Sequence, residues 1–391
     1  MLNHNLVGRG SFLRCLHLAR HLVARGHSVD LVSAADSASV RWGRMEDGGV
    51  RILLPPRLGQ VGTHDGGYAP IDILSRLPLA LGRWDLIHAF EHRPNVLVPA
   101  LFSRLRGTPL VVDWSDWWTR GGITTPRRRW GFVDRLEARF LEEGFKRSAD
   151  LVTVVSRALW DRARGIGIPE ERLTMVPSGC DTTRIRPLDQ ARCREELGLP
   201  LSAPILSFVG FAFWDFELMI QALLHVLAEF PETLLVVAGQ DKDSRIEEIV
   251  RGGLGERASR VRFLGRVEPE RLAVPLSAAD IHLLPLPNNP ANRARWPIKV
   301  GDYLASGRAT VVSSVGDPAE VIHREGAGIA TDPTPKGMAG GILELLRNPG
   351  NRAQMGDRAR ALAEGELSWI RQGEKLEAAY ERCLARRGRS G

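Results

Sequence analysis

An acid and three tryptophans follow one apolar run of the sequence and could form a ligand site. The run Leu110–Asp113 has the character of a buried strand, and Asp116 comes shortly after it. Open α/β sheets bind ligands at the carboxyl ends of their strands, so Asp116 is our candidate for a catalytic contact with substrate. The rings of Trp114, Trp117 and Trp118 could stack on a sugar or a lipid tail, and each could equally belong to the core.

Three more ionisable side chains, His88, Glu91 and His92, lie at or just after the end of another apolar run. Parallel strands end at a common edge, so we expect these groups to line the same cleft as Asp116. His92 is a candidate catalytic group because imidazole titrates near neutral pH, although a structural histidine is the alternative. The two histidines have no supporting third ligand, and no metal site is predicted.

A basic segment later in the chain has the chemistry needed to bind phosphate. Lys299, one of five lysines, directly precedes the helical pattern Val300–Ala305, and Arg293 and Arg295 lie just before it. A phosphate group needs positive charge or backbone amides, and a helix N-terminus supplies amides that point at it. We assign these three residues to phosphate binding; the alternative is a solvated basic loop.

A glycine turn lies close to the first residue. Gly8 and Gly10 flank Arg9 before a helical pattern, where glycines let the backbone approach a phosphate or an acceptor. Only Met1–Asn5 is left for the strand that normally precedes such a turn. Either strand one is short or the start codon lies further upstream, and we favour the second explanation.

Short apolar runs alternate with amphipathic segments in both halves, which is typical of β/α units with parallel sheets. The first half predicts a helix from Ser11, as its N-cap, to Arg25, a helix over Arg127–Arg147, and strands at Ser28–Ser33, Val50–Leu54, Leu86–Ala89, Leu110–Asp113 and Leu151–Val155. The second half predicts helices at Phe216–Phe230 and Asp243–Gly252, and strands at Ile205–Gly210, Leu234–Ala238, Val261–Leu264, Ile281–Pro285 and Thr310–Ser313. The pattern indicates two Rossmann-like domains.

Length and composition indicate a cytoplasmic protein of two domains. A chain of 391 residues exceeds what one core usually holds, and the segment rich in Pro, Gly and Asp at Val176–Asp189 suits an interdomain connection. We expect domains over 1–185 and 186–365, followed by a terminal helix over 366–391. No run of about 18 apolar residues predicts a membrane span. Four scattered cysteines indicate reduced thiols.

The net charge of +7 arises entirely in the first half, where residues 1–185 hold 26 Lys/Arg against 19 Asp/Glu. This asymmetry favours an anionic partner, including the inner face of a membrane, unless it reflects a basic proteome. Arg127, Arg128 and Arg129 beside Trp130 would suit lipid headgroups. Basic residues interleaved with acids argue against nucleic acid. Neither half opens with the glycine fingerprint of an NAD-dependent oxidoreductase.

Several segments together resemble the family-4 retaining glycosyltransferases with the GT-B fold. The likeness covers nearly the whole chain and rests on GRG with the helix and strand after it, and on VPSGCDTTRIRPL, VRFLGRVEPERLAVPLSAADIHLLPL, PIKVGDYLASGRATVVSS and ELSWIRQGEKLEAAYERCL. The resemblance implies two facing Rossmann-like domains and a last helix that crosses back onto the first. It implies transfer of a sugar from a nucleoside-diphosphate sugar to a hydroxyl of a glycan, lipid-linked sugar or small molecule, with retention and without metal or cofactor.

The resemblance also assigns donor-binding residues. Asp302 stands where the family has the second glutamate of a pair, which implies contact with the ribose; the alternative is an acid that favours the helix dipole. Lys299 then meets the diphosphate. The backbone at Gly265 and Arg266 lies where the base would be read, and Gly210, which ends the first strand of this half, completes the donor set.

Three positions depart from the family pattern. The first acid of the pair is missing because Ala294 stands at its position, and Asn288, Asn289 or Asn292 could take over its role through hydrogen bonds. Phe211 and Asp215 stand near the place where a basic pair is common. Ser115 stands where a histidine is expected. These departures motivate a second hypothesis, a catalytically degenerate protein that binds sugar nucleotides or acts as a scaffold.

Overall fold

The computed structural model of the chain describes residues 1–58, 66–124, 131–210, 213–239 and 245–388 and divides into two compact units. The first unit comprises Met1–Ser178, Ala294–Trp296 and Trp369–Gly391. The second comprises Gly179–Arg293 and Pro297–Ser368. The sequence had placed the two divisions at residues 185 and 365. Both units are α/β with parallel sheets, so the predicted fold class is confirmed.

The first unit is built on a sheet of eight strands in the order β3-β4-β2-β1-β5-β6-β7-β8. All neighbouring strands are parallel except β3 and β4. The strands are β1 (Leu2–Leu6), β2 (Asp30–Ala34), β3 (Gly43–Asp47), β4 (Val50–Leu54), β5 (Ile87–Phe90), β6 (Leu110–Trp114), β7 (Leu151–Val154) and β8 (Leu173–Met175). Strand one is therefore present, lies inside the sheet and pairs with β2 and β5.

Helices of the first unit cover this sheet. They are α1 (Ser11–Ala24), α2 (Pro70–Arg76), α3 (Pro94–Leu105), α4 (Gly131–Leu136), α5 (Glu143–Ser148) and α6 (Arg157–Gly165), and a π-helical turn over Glu137–Glu142 joins α4 to α5. The N-cap of α1 is Gly10, so the prediction that Ser11 caps it is wrong; the Ser11 hydroxyl contacts Asn3 instead. The part of the predicted helix 127–147 that covers 127–130 lies outside the described residues.

The second unit has a sheet of six parallel strands in the order β11-β10-β9-β12-β13-β14. The strands are β9 (Ile205–Val209), β10 (Leu234–Ala238), β11 (Val261–Phe263), β12 (Ile281–Leu284), β13 (Ala309–Ser313) and β14 (Gly328–Thr331). The helices are α7 (Gln190–Glu196), α8 (Phe213–Glu229), α9 (Arg245–Leu254), α10 (Ala273–Ala278), α11 (Pro290–Ala294), α12 (Ile298–Ala305), α13 (Gly316–Arg324), α14 (Pro335–Arg347) and α15 (Pro349–Glu364). Its core joins the apolar faces of β9, β10 and β12 to α8 and α14.

The last helix, α16 (Trp369–Gly388), belongs to the first unit, as the family resemblance implied. Trp369 stacks on His17 with ring centroids 4.8 Å apart. The hydroxyl of Tyr380 lies 2.6 Å from His88 Nδ1. Among the described residues, no helix combines the length and the apolar composition that crossing a membrane requires.

Candidate functional site

The strand order of each sheet identifies the edge at which a ligand would bind. In the first unit, the chain winds outward in opposite directions from β1 and β5. In the second unit, it does so from β9 and β12. Ligands of open α/β sheets bind beyond the carboxyl ends of such neighbouring strands. The loops after β1, β5 and β6 and those after β9 and β12 are therefore the two candidate subsites.

The glycine turn after β1 needs its glycines. Gly8 has φ 77° and Gly10 has φ 51°, both in the left-handed region that disfavours side chains. A Cβ atom on Gly10 would also collide with the Asn5 side chain. The N-cap of α1 makes no side-chain hydrogen bond, and the Phe12 and Leu13 amides donate to Arg9 O and Gly10 O within the turn. The approach of a ligand to this backbone stays a prediction.

Glu91, directly after β5, holds the loop that follows β6. Its Oε1 atom accepts hydrogen bonds from Ser115 N (2.8 Å), Ser115 Oγ (2.7 Å) and Asp116 N (3.1 Å). Its Oε2 atom accepts one from Trp118 Nε1 at 2.8 Å. The Glu91 carboxylate is fully buried. Burial raises the pKa of Glu91, but the charge of Lys146, the adjacent His92 and the hydrogen bond from the Ser115 side chain outweigh burial and leave the pKa well below its usual range.

Asp116 is half-buried at the carboxyl edge of the sheet, as predicted. Among the described residues, no group donates a hydrogen bond to its carboxyl oxygens, whereas the neighbouring carboxylates are fully bonded. Burial, and then the negative charge of Glu91, raises the pKa of Asp116 to about 7. Asp113 adds to this effect, while Arg295 and Arg93 oppose it. A carboxyl group that titrates near neutral pH and has open hydrogen-bonding capacity suits contact with a hydroxyl group.

The three tryptophans have different environments. Trp114 is fully buried on β6 and donates from Nε1 to Glu142 Oε1 at 3.1 Å, so its acceptor-side interpretation is wrong and the core alternative holds. Trp118 is half-buried, and Arg93 lies over its ring at 4.0 Å. Trp117 is half-buried, and its Nε1 has no acceptor among the described residues. Trp117 and Trp118 remain candidates for ligand contact.

Both histidines of the segment after β5 are structural. His92 has no exposed surface and packs edge-on against Trp118 with ring centroids 6.0 Å apart. A side chain without exposed surface cannot reach a substrate, so the structure contradicts the catalytic interpretation of His92. His88 is buried against Tyr380 and does not line the cleft. Burial lowers the pKa of His88 well below its usual range, which keeps the ring neutral.

Buried charges that the sequence did not reveal support this loop. Lys146 is fully buried with Nζ 3.6 Å from Glu91 Oε2 and 3.4 Å from His92 Nδ1. A second buried carboxylate, Glu142, accepts hydrogen bonds from the backbone N of Trp118 (3.2 Å) and Thr119 (3.0 Å) and pairs with Arg162 at 3.0 Å. Ion pairs between residues far apart in the chain leave no local pattern in the sequence. The sequence therefore indicated the segment of Glu91 but not its buried partner Lys146.

The basic segment 293–299 is divided between the two units. Ala294–Trp296 belongs to the first unit, where Ser156 Oγ donates to Ala294 O at 2.6 Å. The charge of Arg295 acts there on Asp116. Arg293 and Lys299 belong to the second unit. The assignment of these three residues to phosphate binding stays a prediction.

In the second unit, Lys299 meets Gly210 at the point where the strand order reverses. Gly210 ends β9 with φ 129°, and a Cβ atom there would lie 2.9 Å from Lys299 Nζ. The Lys299 ammonium also lies over the Phe208 ring, 4.0 Å from its centroid. A glycine beside a half-buried ammonium leaves room for a ligand to reach the charge. The observation supports the donor assignment of Lys299 and Gly210, which stays a prediction.

Helix α12 carries Lys299 and is held tightly. The Tyr303 hydroxyl accepts a hydrogen bond from Val209 N at 2.8 Å, and the Tyr303 ring stacks on His282 at 4.5 Å. A Cβ atom on Gly301 would lie 2.5 Å from Gly179 O, so the segment at 179–180 touches the helix backbone. These contacts attach α12 to β9, to β12 and to the 179–180 segment.

Asp302 lies one turn beyond Lys299 on the same face of α12. Its Oδ1 pairs with Arg184 Nη2 at 3.2 Å, and only 7% of the residue is exposed. Burial raises the pKa of Asp302 to about 6, although Arg184 opposes this rise. Arg184, in the segment that resembles the family's interdomain motif, thus contacts a predicted site residue and was not identified from the sequence.

The remaining predicted donor residues also lie in the second unit, and their contacts are with nearby residues of the chain. Gly265 has φ 67° and accepts a hydrogen bond from Gly239 N at 2.9 Å, which fixes the loop after β11. Arg266 is exposed and pairs with Glu268 at 3.5 Å. Arg293 is exposed and donates to Asn288 Oδ1 at 2.7 Å. Phe211 lies outside the described residues.

The asparagines near Ala294 have local partners. Asn288 accepts from Arg293, Asn289 Oδ1 accepts from Asn292 N at 2.9 Å, and Asn292 Nδ2 donates to Pro287 O at 2.7 Å. The idea that one of them replaces the missing acid therefore gains no support. No cluster of three or more metal-ligating side chains occurs in the part of the chain that the structure describes.

Family comparisons agree with the two units. A family profile described as "Glycosyl transferase 4-like domain" matches residues 10–179, and one described as "Glycosyl transferases group 1" matches residues 203–348. A D-inositol 3-phosphate glycosyltransferase of Nocardia farcinica is 30% identical over 230 residues, which cover 56% of this chain and 49% of that protein. The matched part thus spans about half of that relative. One of the same name from Acidothermus cellulolyticus is 25% identical over 95% of this chain and 85% of its own length.

Solved structures of the same fold cover nearly the whole chain. Sucrose-phosphate synthase of Thermosynechococcus elongatus superposes with a TM-score of 0.76 at 20% identity, over 97% of this chain and 94% of that one. The Anabaena protein HepE, solved in complex with UDP-glucose, superposes with a TM-score of 0.73 at 16% identity, over 97% and 98%. At these identities the likeness establishes the fold.

Proposed function

The chain belongs to the family-4-like glycosyltransferases of the GT-B fold, and we propose that it moves a sugar from a nucleoside diphosphate to an acceptor hydroxyl through the residues described above. The second unit binds the nucleotide sugar, and the first unit binds the acceptor. The acceptor is a glycan, a lipid-linked sugar or a small polyol.

The observation that carries the proposal is the pair of Lys299 and Asp302 on α12. A diphosphate needs a cation, and Lys299 Nζ lies beside Gly210 where the sheet reverses its strand order. A ribose needs a hydrogen-bond acceptor, and Asp302 lies one helical turn away with Arg184 balancing its charge. The UDP-glucose complex of HepE, a protein of the same fold, supports a nucleotide sugar as the donor.

Asp116 supplies the polar contact on the acceptor side. Its carboxyl group has open hydrogen-bonding capacity, and the half-buried rings of Trp117 and Trp118 beside it can pack against a sugar. We propose that the ionised carboxylate accepts a hydrogen bond from the acceptor or the transferred sugar. The leaving diphosphate then deprotonates the acceptor hydroxyl, the sugar keeps its anomeric configuration, and the cation of Lys299 stabilises the diphosphate without a metal.

A degenerate binding protein is the second candidate. Ala294 stands in place of the first acid of the family pair, and the nearby asparagines are engaged locally. A protein of this kind would bind the nucleotide sugar without transferring the sugar. Binding and turnover must therefore be measured separately.

Thermal unfolding with UDP, GDP, ADP or dTDP in EDTA tests the donor site. A nucleotide present at about 100 times its dissociation constant should add about 2.7 kcal/mol to the free energy of unfolding. We expect one nucleotide to raise the melting temperature and Lys299→Ala to abolish that rise. The matched control is Lys336→Ala, because Lys336 is an exposed lysine in the first turn of α14 in the same unit.

Turnover is then assayed with the matching nucleotide sugars, again in EDTA, by release of the nucleoside diphosphate. If the nucleotide binds in a way that depends on Lys299 but no sugar is transferred, the result would favour the degenerate binding protein. Absence of any shift from a well-folded sample would overturn the donor site itself.

We further propose that the first unit associates peripherally with an anionic membrane. Phe132, Leu136 and Phe140 recur every four residues and are exposed by 53%, 50% and 63%. The exposed Arg135 and Arg139 alternate with them. We call these five residues the α4 stripe. Apolar side chains flanked by arginines match the acyl boundary and the anionic headgroups of a lipid surface.

A further inference from the structure

Glu91 occupies a backbone conformation that a glutamate disfavours. Its φ is 70°, in the left-handed region, where a non-glycine residue costs stability unless its surroundings compensate. A glycine would adopt this turn without strain. The turn alone therefore does not explain why this position holds a glutamate, and the Glu91 side chain must have a further role.

The use lies in the contacts of the Glu91 carboxylate. Three donors from Ser115 and Asp116 converge on Oε1, and the indole N–H of Trp118 reaches Oε2. All of these donors belong to the loop that carries Asp116. The ammonium of Lys146, buried behind Glu91, keeps the carboxylate ionised and able to accept four hydrogen bonds.

We propose that Glu91 is a positioning residue that fixes the backbone of Asp116 and sets the electrostatic environment of its carboxyl group. The inference rests on the proposed function of Asp116 as a substrate contact. The four charged groups with the largest effect on that carboxyl group are Glu91 and Asp113, which are negative, and Arg93 and Arg295, which are positive. Glu91 is the strongest of the four, and it also holds the loop.

Glu91→Gln tests the electrostatic part. The amide keeps an oxygen for the loop donors and removes the negative charge, so the pKa of Asp116 falls. We expect the midpoint of the pH profile of kcat/KM, which reports the ligand-free enzyme and should lie near pH 7 for the native protein, to move to lower pH by about one unit. Asp116→Asn should abolish that titration. A merely structural role for Glu91 would lower kcat/KM at all pH values without moving the midpoint.

Glu142→Gln is the matched control. Glu142 is also a buried carboxylate that accepts hydrogen bonds from backbone N–H groups of the same loop, at Trp118 and Thr119. Its charge is not among the largest influences on the pKa of Asp116. Its removal should leave the midpoint of the pH profile in place, even where it lowers stability or activity.

Amide hydrogen exchange tests the positioning part without turnover. Glu91→Gly relieves the backbone strain but leaves the buried Lys146 ammonium without this counterion, so near-UV circular dichroism first checks that the variant folds. The amides of Ser115 and Asp116 should then exchange at least about tenfold faster than in the native protein. Unchanged exchange at both amides, or an unchanged pH midpoint in Glu91→Gln, would overturn the proposal. Faster exchange in a protein that shows no turnover with any nucleotide sugar would support the positioning role and overturn the transferase function.

Discussion

Asp116 combines partial burial with two neighbouring acids, so the folded chain binds a proton at its carboxyl group more tightly than the unfolded chain does. The folded pKa of about 7 lies above the ordinary value of 3.8. Stability from this protonation is complete below the ordinary pKa and is lost as the pH rises through about 7. Activity needs the ionised form under our proposal, so the site is formed at the expense of stability at neutral pH.

Asp116→Asn should therefore stabilise the protein at pH 8 and by only about a third as much at pH 5, because the loss of stability begins near the ordinary pKa of 3.8. The side chains have the same shape, and Asn has no charge to bury. Since the carboxyl group is partly exposed, we expect a gain of about 2 kcal/mol at pH 8, roughly half of what the full shift in pKa gives. Thermal unfolding of both proteins at the two pH values measures it.

Asp161→Asn serves as the control, because Asp161 is an exposed acid on α6 of the same unit. Its effect should be the same at pH 5 and pH 8. A destabilised Asp116→Asn protein at pH 8 would contradict the assigned environment of Asp116.

Residue types near strand ends could be read from the sequence, but their burial could not. Asp116 was identified because it follows an apolar run that ends at the sheet edge. Trp114 and His92 occur in the same segments, yet both are fully buried. Their partners, Glu142 and Lys146, lie far along the chain, so no local pattern separates them from residues that face the cleft.

Helix α12 is the element on which the proposed donor site depends, because it carries both Lys299 and Asp302. Gly301 lies between them where the helix touches the 179–180 segment. Gly301→Ala would put a methyl group 2.5 Å from Gly179 O and 3.2 Å from Cys180 Cα. Backbone atoms cannot move aside cheaply, so the helix must shift.

We expect Gly301→Ala to cost about 2 kcal/mol of unfolding free energy and to weaken nucleotide binding at least about tenfold. Calorimetric titration with the nucleotide that stabilises the native protein measures the second effect. Gly340→Ala is the control: Gly340 is exposed on α14, and a methyl group added there would meet no atom within 4 Å. This change should stabilise the protein by about 0.5–1 kcal/mol. Native affinity in Gly301→Ala would contradict the role given to α12.

Apolar patterning predicted the buried strands closely and missed the others. Val50–Leu54 and Leu234–Ala238 have the predicted bounds, and the other predicted strands differ by one or two residues at an end. The missed strands are β3, β8 and β14. β3 (GRMED) is polar and largely exposed at the sheet edge, and β14 (GIAT) is short, so neither has an apolar run to reveal it.

At the scale of the whole molecule, composition predicted two domains and an anionic partner, and we propose the α4 stripe as the surface that meets this partner. The net charge of +7 comes from the first half of the sequence. Within the described residues of that half, the α4 stripe joins exposed apolar side chains to exposed arginines. The predicted headgroup contact at Arg127–Arg129 and Trp130 lies outside the described residues, directly before this stripe.

Sedimentation with vesicles tests membrane association. We expect binding to vesicles of phosphatidylcholine with phosphatidylglycerol, and little binding to phosphatidylcholine alone. Raising the salt concentration from about 0.05 to 0.5 M should weaken binding, because it screens the arginines. The combined change Phe132→Ser, Leu136→Ser and Phe140→Ser should abolish it, and Arg135→Glu with Arg139→Glu should weaken it at low salt.

The matched control removes equally exposed apolar side chains elsewhere in the same unit. Leu81, Phe102 and Leu105 are exposed by 67%, 52% and 83%. Their combined replacement by serine lowers the surface hydrophobicity by a similar amount and leaves the α4 stripe intact, so binding should persist. Equal loss in both triple variants would mean that general hydrophobicity, rather than this stripe, drives association. Binding to neutral vesicles as tight as to anionic ones would overturn the electrostatic part, because it would leave the arginines without a role.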